Sequence, residues 1–390
     1  MRRPVFLVYA LLFVNEIQQA GIIPLLPTFK EIFGLTKVET GAILSMTTFA
    51  TVVVSVPVGL LADRVGARVL TVGAGCLLVV APLAQAFAHG IWPFLGGRAL
   101  FGIAYGTVWT AGLASIRDST STRRASALGG TVTIGGLAYL TSPPFAGFTA
   151  QHLGVRTPFF VFSGLALAVT LALARSPAAR AAERTQQRLL PALRAARSAH
   201  VVRSAIVLIA MLGSVMGVIQ LLVPLRLGQN GLSPGEIGAV FSGSSALWIL
   251  VSGSTARLGE RAARLPVAGA GVLLLGCAFI LPITTLSTAA LIAFLLMRSG
   301  FGAPLSTISY PLSEAGSRTV DIGAGTVIAF MNVAWGAAAV SGPLLGGVLA
   351  QSIGERWTFG AVLGCCLAVG TWILVADRRA VRASPATERL

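Results

Sequence analysis

The chain aligns with itself at an offset of 200 residues. Gln151, Gly154 and Arg156 in QHLGVRTPFF return as Gln351, Gly354 and Arg356 in QSIGERWTFG. Arg98 returns as Arg298, Pro143 as Pro343 and Pro24 as Pro224. The repeated material is long apolar stretches with single polar residues inside them. Two such copies running in the same direction constrain the fold to two like bundles of helices set in a bilayer.

Composition leaves no other solvent. Of 390 residues, 55% are hydrophobic and 11% charged, with mean hydropathy +0.83. A water-soluble domain carries roughly a quarter charged residues. Apolar runs of about 20 residues are needed to cross the hydrocarbon core. Twelve are present, at 4–27, 40–62, 68–88, 91–115, 125–150, 156–174, 203–227, 235–256, 265–284, 288–312, 320–350 and 356–376. Helix is the expected backbone, because each N–H and C=O must be paired inside its own segment. The start, MRRPVFLVYALLFV, has the look of a signal peptide, but no small-x-small cleavage site follows and the apolar run continues to Pro24 and Pro27. It is expected to stay as the first helix. The fold class is thus all-α membrane protein, with six spans in 1–174, a linker at 175–202 and six spans in 203–390. The linker's Ala, Arg and Leu suit an amphipathic helix on the membrane surface, and a flexible connection fits it equally.

The net charge of +16 comes from 29 Lys and Arg against 13 acids. Nucleic-acid binding would need them clustered on a wettable face. They lie instead between spans. With the N-terminus inside, 22 fall on the cytoplasmic side and five on the other, counting Lys30, Lys37, Arg156, Arg226 and Arg356, while Arg98 and Arg298 lie within spans. This bias places both termini in the cytoplasm. The four Cys sit in apolar spans and read as small fillers. No P-loop, metal-ligand cluster or nucleophile–base pair is legible, so no cofactor, metal or enzymatic activity is expected. A receptor or scaffold would be expected to add a soluble domain or long tail.

After the second span comes PVGLLADRVGARVL. Gly59 suits close helix packing, Asp63 and Arg64 set opposite charges at the membrane surface, Gly66 suits a turn, and Arg68 leads the next helix. GLLADRVGAR resembles the signature loop of the major facilitator superfamily. STARLGERAARL is a worn second copy, and RALFGIAYG resembles the family's fourth-helix motif. The resemblance covers the whole chain. It implies a transporter that moves small molecules by rocking two six-helix halves about a midplane site. It also implies gating roles for Gly59, Asp63, Arg64, Gly66 and Arg68, with Asp118 as a partner at the inner end of span 4.

Glu16 is the sharpest residue, because the other acids fall in loops, tails or span ends. An acid near the midplane is expensive and usually faces a cavity. By rise alone Glu16 lies about 18 Å above the inner edge of span 1, and Arg98 about 11 Å below the outer edge of span 4. Those depths nearly coincide in hydrocarbon about 30 Å thick, so the two are expected to communicate, directly or through water. A proton site at Glu16 tuned by Arg98 is one reading; a structural pair or a neutral hydrogen-bonded Glu is the other. The stretch NEIQQAGIIPLLP resembles the first helix of the drug:proton antiporter group, with Asn15 where some members keep an acid. GGLAYLTSPPFAG in span 5 resembles the motif associated with antiporters.

In the second copy Glu16 aligns with Met216, so no acid is at hand for Arg298. Water, backbone carbonyls or a substrate anion are its expected partners. Further cavity candidates are Asn15, Gln19, Tyr105, Trp109, Tyr139, Gln220, Trp248, Tyr310, Asn332 and Trp335. The expected activity is proton-coupled efflux of amphipathic, cationic compounds by a monomer in lipid. The alternative is an organic-anion carrier that binds substrate through Arg98 and Arg298.

Overall fold

A computed structural model describes residues 3–113, 124–176, 200–258, 262–318 and 324–383. Among the described residues there are helices and no strands. Helix α1 (Arg3–Gly21) runs to the prolines of GIIPLLP, where a 3₁₀ turn (Ile23–Leu25) leads into α2 (Leu26–Ile32). Pro24 has no N–H to continue the ladder, so the first span changes helix type there. Then follow α3 (Lys37–Val65), α4 (Ala67–Ala86) and α5 (Ile91–Thr107), which passes into a π-turn (Val108–Gly112). Helices α6 (Arg124–Leu153) and α7 (Thr157–Ala174) complete the first six spans.

The second set comprises α8 (His200–Gln229), α9 (Pro234–Leu258), α10 (Leu265–Ala278) with the short α11 (Ile280–Thr284), α12 (Thr288–Arg318), α13 (Ala324–Ser352) and α14 (Glu355–Ala383). Ten of these spans are long and apolar enough to cross a bilayer by length and composition. The other two expected spans, at 91–115 and 125–150, correspond to α5 with its π-turn and to α6. The linker lies outside the described residues apart from its ends.

The repeat is physical. Gly154 and Gly354 both adopt positive φ (99° and 88°), a conformation that suits residues without a Cβ. Phe94 meets Phe159 at 6.3 Å between ring centroids, and Phe294 meets Phe359 at 5.9 Å. A further repeat has an offset of 197. Thr36 caps α3 by a box with Glu39, whose carboxylate accepts the Thr36 N–H at 2.8 Å, and Ser233 and Glu236 do the same ahead of α9 at 2.8 Å.

The chain divides into two compact units. One holds 1–184 together with 218–245 and 343–351; the other holds 185–217, 246–342 and 352–390. Within the first unit the inserted segments meet the first six spans backbone to backbone. A Cβ on Gly147 would overlap the Pro234 carbonyl, and one on Gly238 would overlap the Pro143 carbonyl. Ser242 Oγ donates to the Leu140 carbonyl in the same seam. In lipid, where apolar side chains gain little by leaving the solvent, such close approach of backbones holds helices together. Gly147 therefore has the close packing expected of the span-5 glycines, whereas Gly135 meets nothing within 4 Å.

Candidate functional site

Helix α5 carries a ladder of functional side chains. Residues 98, 101, 105 and 109 fall within about 80° of arc at 100° per residue, so they share one face. The Arg98 guanidinium lies 5.2 Å from the Phe101 ring centroid. Phe101 meets Tyr105 edge-on at 5.8 Å, and Tyr105 meets Trp109 at 6.5 Å. Trp109 sits within the π-turn, whose extra residue resets the helical register at that point.

Helix α1 sets its polar residues against this ladder. Glu16 is 4% exposed. Its Oε1 accepts two hydrogen bonds, from Tyr105 Oη at 2.7 Å and Trp109 Nε1 at 2.8 Å. Its Oε2 accepts none from the described residues. One turn along α1, Gln19 Oε1 accepts from Arg98 Nη2 at 3.1 Å. Arg98 is 1% exposed and also donates from Nε to the Ile43 carbonyl in α3 at 3.1 Å. Thr47 of α3 donates back to the Arg98 carbonyl at 3.4 Å. Tyr139 of α6 lies close enough to interact electrostatically with both Arg98 and Tyr105.

Glu16 and Arg98, expected to communicate directly or through water, share no hydrogen bond among the described residues. Arg98 is held by Gln19 and α3, and Glu16 by the two aromatic donors one rung further along. Asn15, expected to line a cavity, is fully buried, and its side-chain amide has no hydrogen-bond partner among the described residues. Its neighbour Gln18 donates to the Leu78 carbonyl of α4 at 3.1 Å. Gln220 is half-buried in α8.

In the second unit Arg298 Nη2 donates to the Met216 thioether at 3.1 Å, and its guanidinium lies 4.6 Å from the Trp248 ring centroid. Sulfur and an indole face thus join the contacts expected of water, carbonyl or anion. Tyr310 of α12 donates to Asn332 Oδ1 of α13 at 3.1 Å, and the Trp335 carbonyl backs onto Gly213.

The gating candidates separate in the same way. Arg68 donates to the carbonyls that end α7, at 3.3 Å to Leu173 and 3.1 Å to Ala174, and to that of Ser176 beyond. Those carbonyls have no partner within their own helix, and a cation there also meets the negative end of its dipole. Gly66 turns between α3 and α4 with φ of 87°. Arg64 is exposed. Gly59 departs from expectation, since among the described residues nothing lies within 4 Å of where its Cβ would be. The Asp63 side chain and all of Asp118 lie outside the described residues. Two features of the site were not anticipated from the sequence: the π-turn and Phe101. Phe101 had a legible signal, since it follows Arg98 by three residues.

The family model described as Major Facilitator Superfamily matches residues 8–318. The chain belongs to the major facilitator superfamily. Curated relatives within that superfamily match over shorter stretches. MFS-type transporter ppzB of Metarhizium rileyi is 32% identical over 169 residues, covering 42% of this chain and 35% of that protein. Multidrug resistance protein MdtG of Serratia proteamaculans is 27% identical over 172 residues, covering 43% and 42%. The chain thus spans less than half the length of the curated relatives it matches. Among solved structures, a bacterial homolog to the human lysosomal transporter Spinster, inward-facing and unoccupied, aligns with a TM-score of 0.77 over 98% of both chains at 15% identity. A POT family transporter in complex with 5-aminolevulinic acid aligns at 0.76 over 97% of this chain and 96% of that one, at 12% identity. At such identities the likeness is one of fold.

Proposed function

We propose that this chain is a secondary active transporter of the cytoplasmic membrane, with both termini inside, that exchanges protons for amphipathic cations and expels them. The observation that carries the reading is the Glu16 carboxylate. It is buried, it is steadied by two neutral donors on one oxygen, and its other oxygen is open to a proton. A carboxylate so placed binds either a proton or the charge of an organic cation, and the rings of Tyr105 and Trp109 supply faces for that cation. Arg98 acts on it through α1, by holding Gln19 one turn away. The multidrug resistance protein among the relatives supports the same substrate class. With the termini inside, the Gly147–Pro234 and Gly238–Pro143 seam lies at the outer end and serves as the outer gate, while Arg68 works at the inner one.

The test uses purified protein in weakly buffered detergent. Addition of a panel of lipophilic cations should release protons from wild type and none from Glu16→Gln. Release that survives the substitution, or binding without release, sinks the reading.

A further inference from the structure

The π-turn at Val108–Gly112 is an energetically poor element held in place by something. Its indole, Trp109, donates to Glu16 Oε1 at 2.8 Å. On the preceding turn of α5, Tyr105 donates to the same oxygen at 2.7 Å. Glu16 therefore ties the turn of α5 that precedes the register change to the π-turn itself. Below the turn, Gly112 packs towards Val8 of α1, where an added Cβ would stand 3.3 Å from the Val8 side chain.

We infer that the π-turn is the element that reads the protonation of Glu16, with Trp109 as the positioning residue that connects them. This rests on Glu16 being the exchanged site. A hydrogen bond to an ionised carboxylate is about twice as strong as one to a neutral acceptor. When Glu16 takes a proton, the Trp109 bond weakens and the clamp that favours the wide turn loosens. Relaxation to α-helix removes one residue of register. Leu113 then turns by about 100° and shifts by about 1.5 Å relative to Arg98. Arg98 stays fixed, because Ile43 and Gln19 hold it independently of Glu16. The Arg98 end of α5 is thus anchored while the turn at Val108–Gly112 changes register, which converts a proton into a movement within the helix.

The other titratable or charged groups around Glu16 are few. Tyr105 is on the same helix as Trp109, Tyr139 faces in from α6, Arg98 lies one rung away, and Tyr9 is buried further back on α1. Helix α4 carries Arg68, bonded to the carbonyls that end α7, and the described part of α7 carries no carboxylate or cation.

The experiment is amide hydrogen exchange of the full chain in detergent at pH 6 and pH 9, corrected for intrinsic rates and read on peptides covering 104–113. Proton release on adding tetraphenylphosphonium is measured in parallel. Wild type should show a change of about tenfold in the protection of 108–113 between the two pH values, the factor expected for losing one bond to a charged acceptor. Trp109→Phe keeps a ring in the turn and should abolish that change. Glu16→Gln should abolish that change and the proton release. A wild-type segment with pH-independent protection, or a Trp109→Phe protein that keeps the full change, overturns the inference even where proton release is normal. Absent proton release from wild type overturns the transport reading instead. Thermal midpoints of the two variants within a few degrees of wild type exclude loss of folding as the cause.

Discussion

Arg98 and Arg298 occupy the same position in the two copies of the repeat and are handled in opposite ways. Arg98 is fully enclosed, with a side-chain amide and a backbone carbonyl as acceptors, and its region holds the acid Glu16. Arg298 is half-buried, laid on an indole and bonded to a thioether. Oxygen acceptors fix a guanidinium in direction, whereas sulfur and a π-face are soft and polarisable and tolerate sliding. The first copy is built as a determinate polar network. In the second the cation meets a thioether and an indole face, and the exchange of Glu16 for Met216 is where the two diverge.

The largest effect that sharpens this contrast is expected at Arg98. Arg98→Ala leaves the half-buried Gln19 Oε1 without its donor and takes a second bond from the Ile43 carbonyl, which lies inside α3. At about 1–3 kcal/mol for the group left unsatisfied, stability should fall by roughly 1–3 kcal/mol. A thermal midpoint in detergent reads this directly. An unchanged midpoint would mean that water enters the site and the network is not determinate.

The equivalent substitution in the second copy should cost less. Arg298→Ala removes a cation–indole contact worth about 0.5–2 kcal/mol, and the Met216 thioether is a weak acceptor that loses little by being left alone. Binding of tetraphenylphosphonium should stay within about threefold, the factor for 0.6 kcal/mol. A set of organic anions that binds wild type and fails to bind this variant would break the comparison and move the reading to the anion carrier.

The sequence shows how such a contrast is read and misread. Hydropathy placed the spans, because lipid demands unbroken apolar length and the chain has nothing else to offer it. The first span, expected as one helix through Pro24, changes helix type there, because Pro24 has no N–H to continue the ladder. Rise along the helices suggests a common depth for Glu16 and Arg98 but says nothing of rotation, and Gln19 one turn on from Glu16 presents its oxygen to Arg98. Nothing in VWTAG announces a π-turn, which arises from tertiary contacts. The paired capping boxes at Thr36–Glu39 and Ser233–Glu236 were legible as Ser/Thr-x-x-Glu, but they recur at 197 residues and so escaped an alignment at 200. Arg68 donates to the carbonyls at the end of α7, and no composition reveals that contact.

The smallest effect is expected from restoring in the second copy the acid that the first copy has. Met216→Glu sets a carboxylate where the thioether now lies 3.1 Å from Arg298 Nη2. Two opposite charges in a partly buried site gain from attraction about what they lose in desolvation, so stability should change by no more than about 1 kcal/mol. The consequence for exchange is more telling. In the proposed exchange Glu16 trades its proton while Arg98 stays bonded to Gln19 and Ile43. In the second copy the new carboxylate would stand within reach of Arg298, which should pair with it and neutralise it. Proton release per bound tetraphenylphosphonium should therefore equal that of wild type. A rise in protons released per cation would show the introduced carboxylate exchanging as Glu16 is proposed to. Arg298 would then be held as firmly as Arg98, and the difference between the copies would reduce to the one acid.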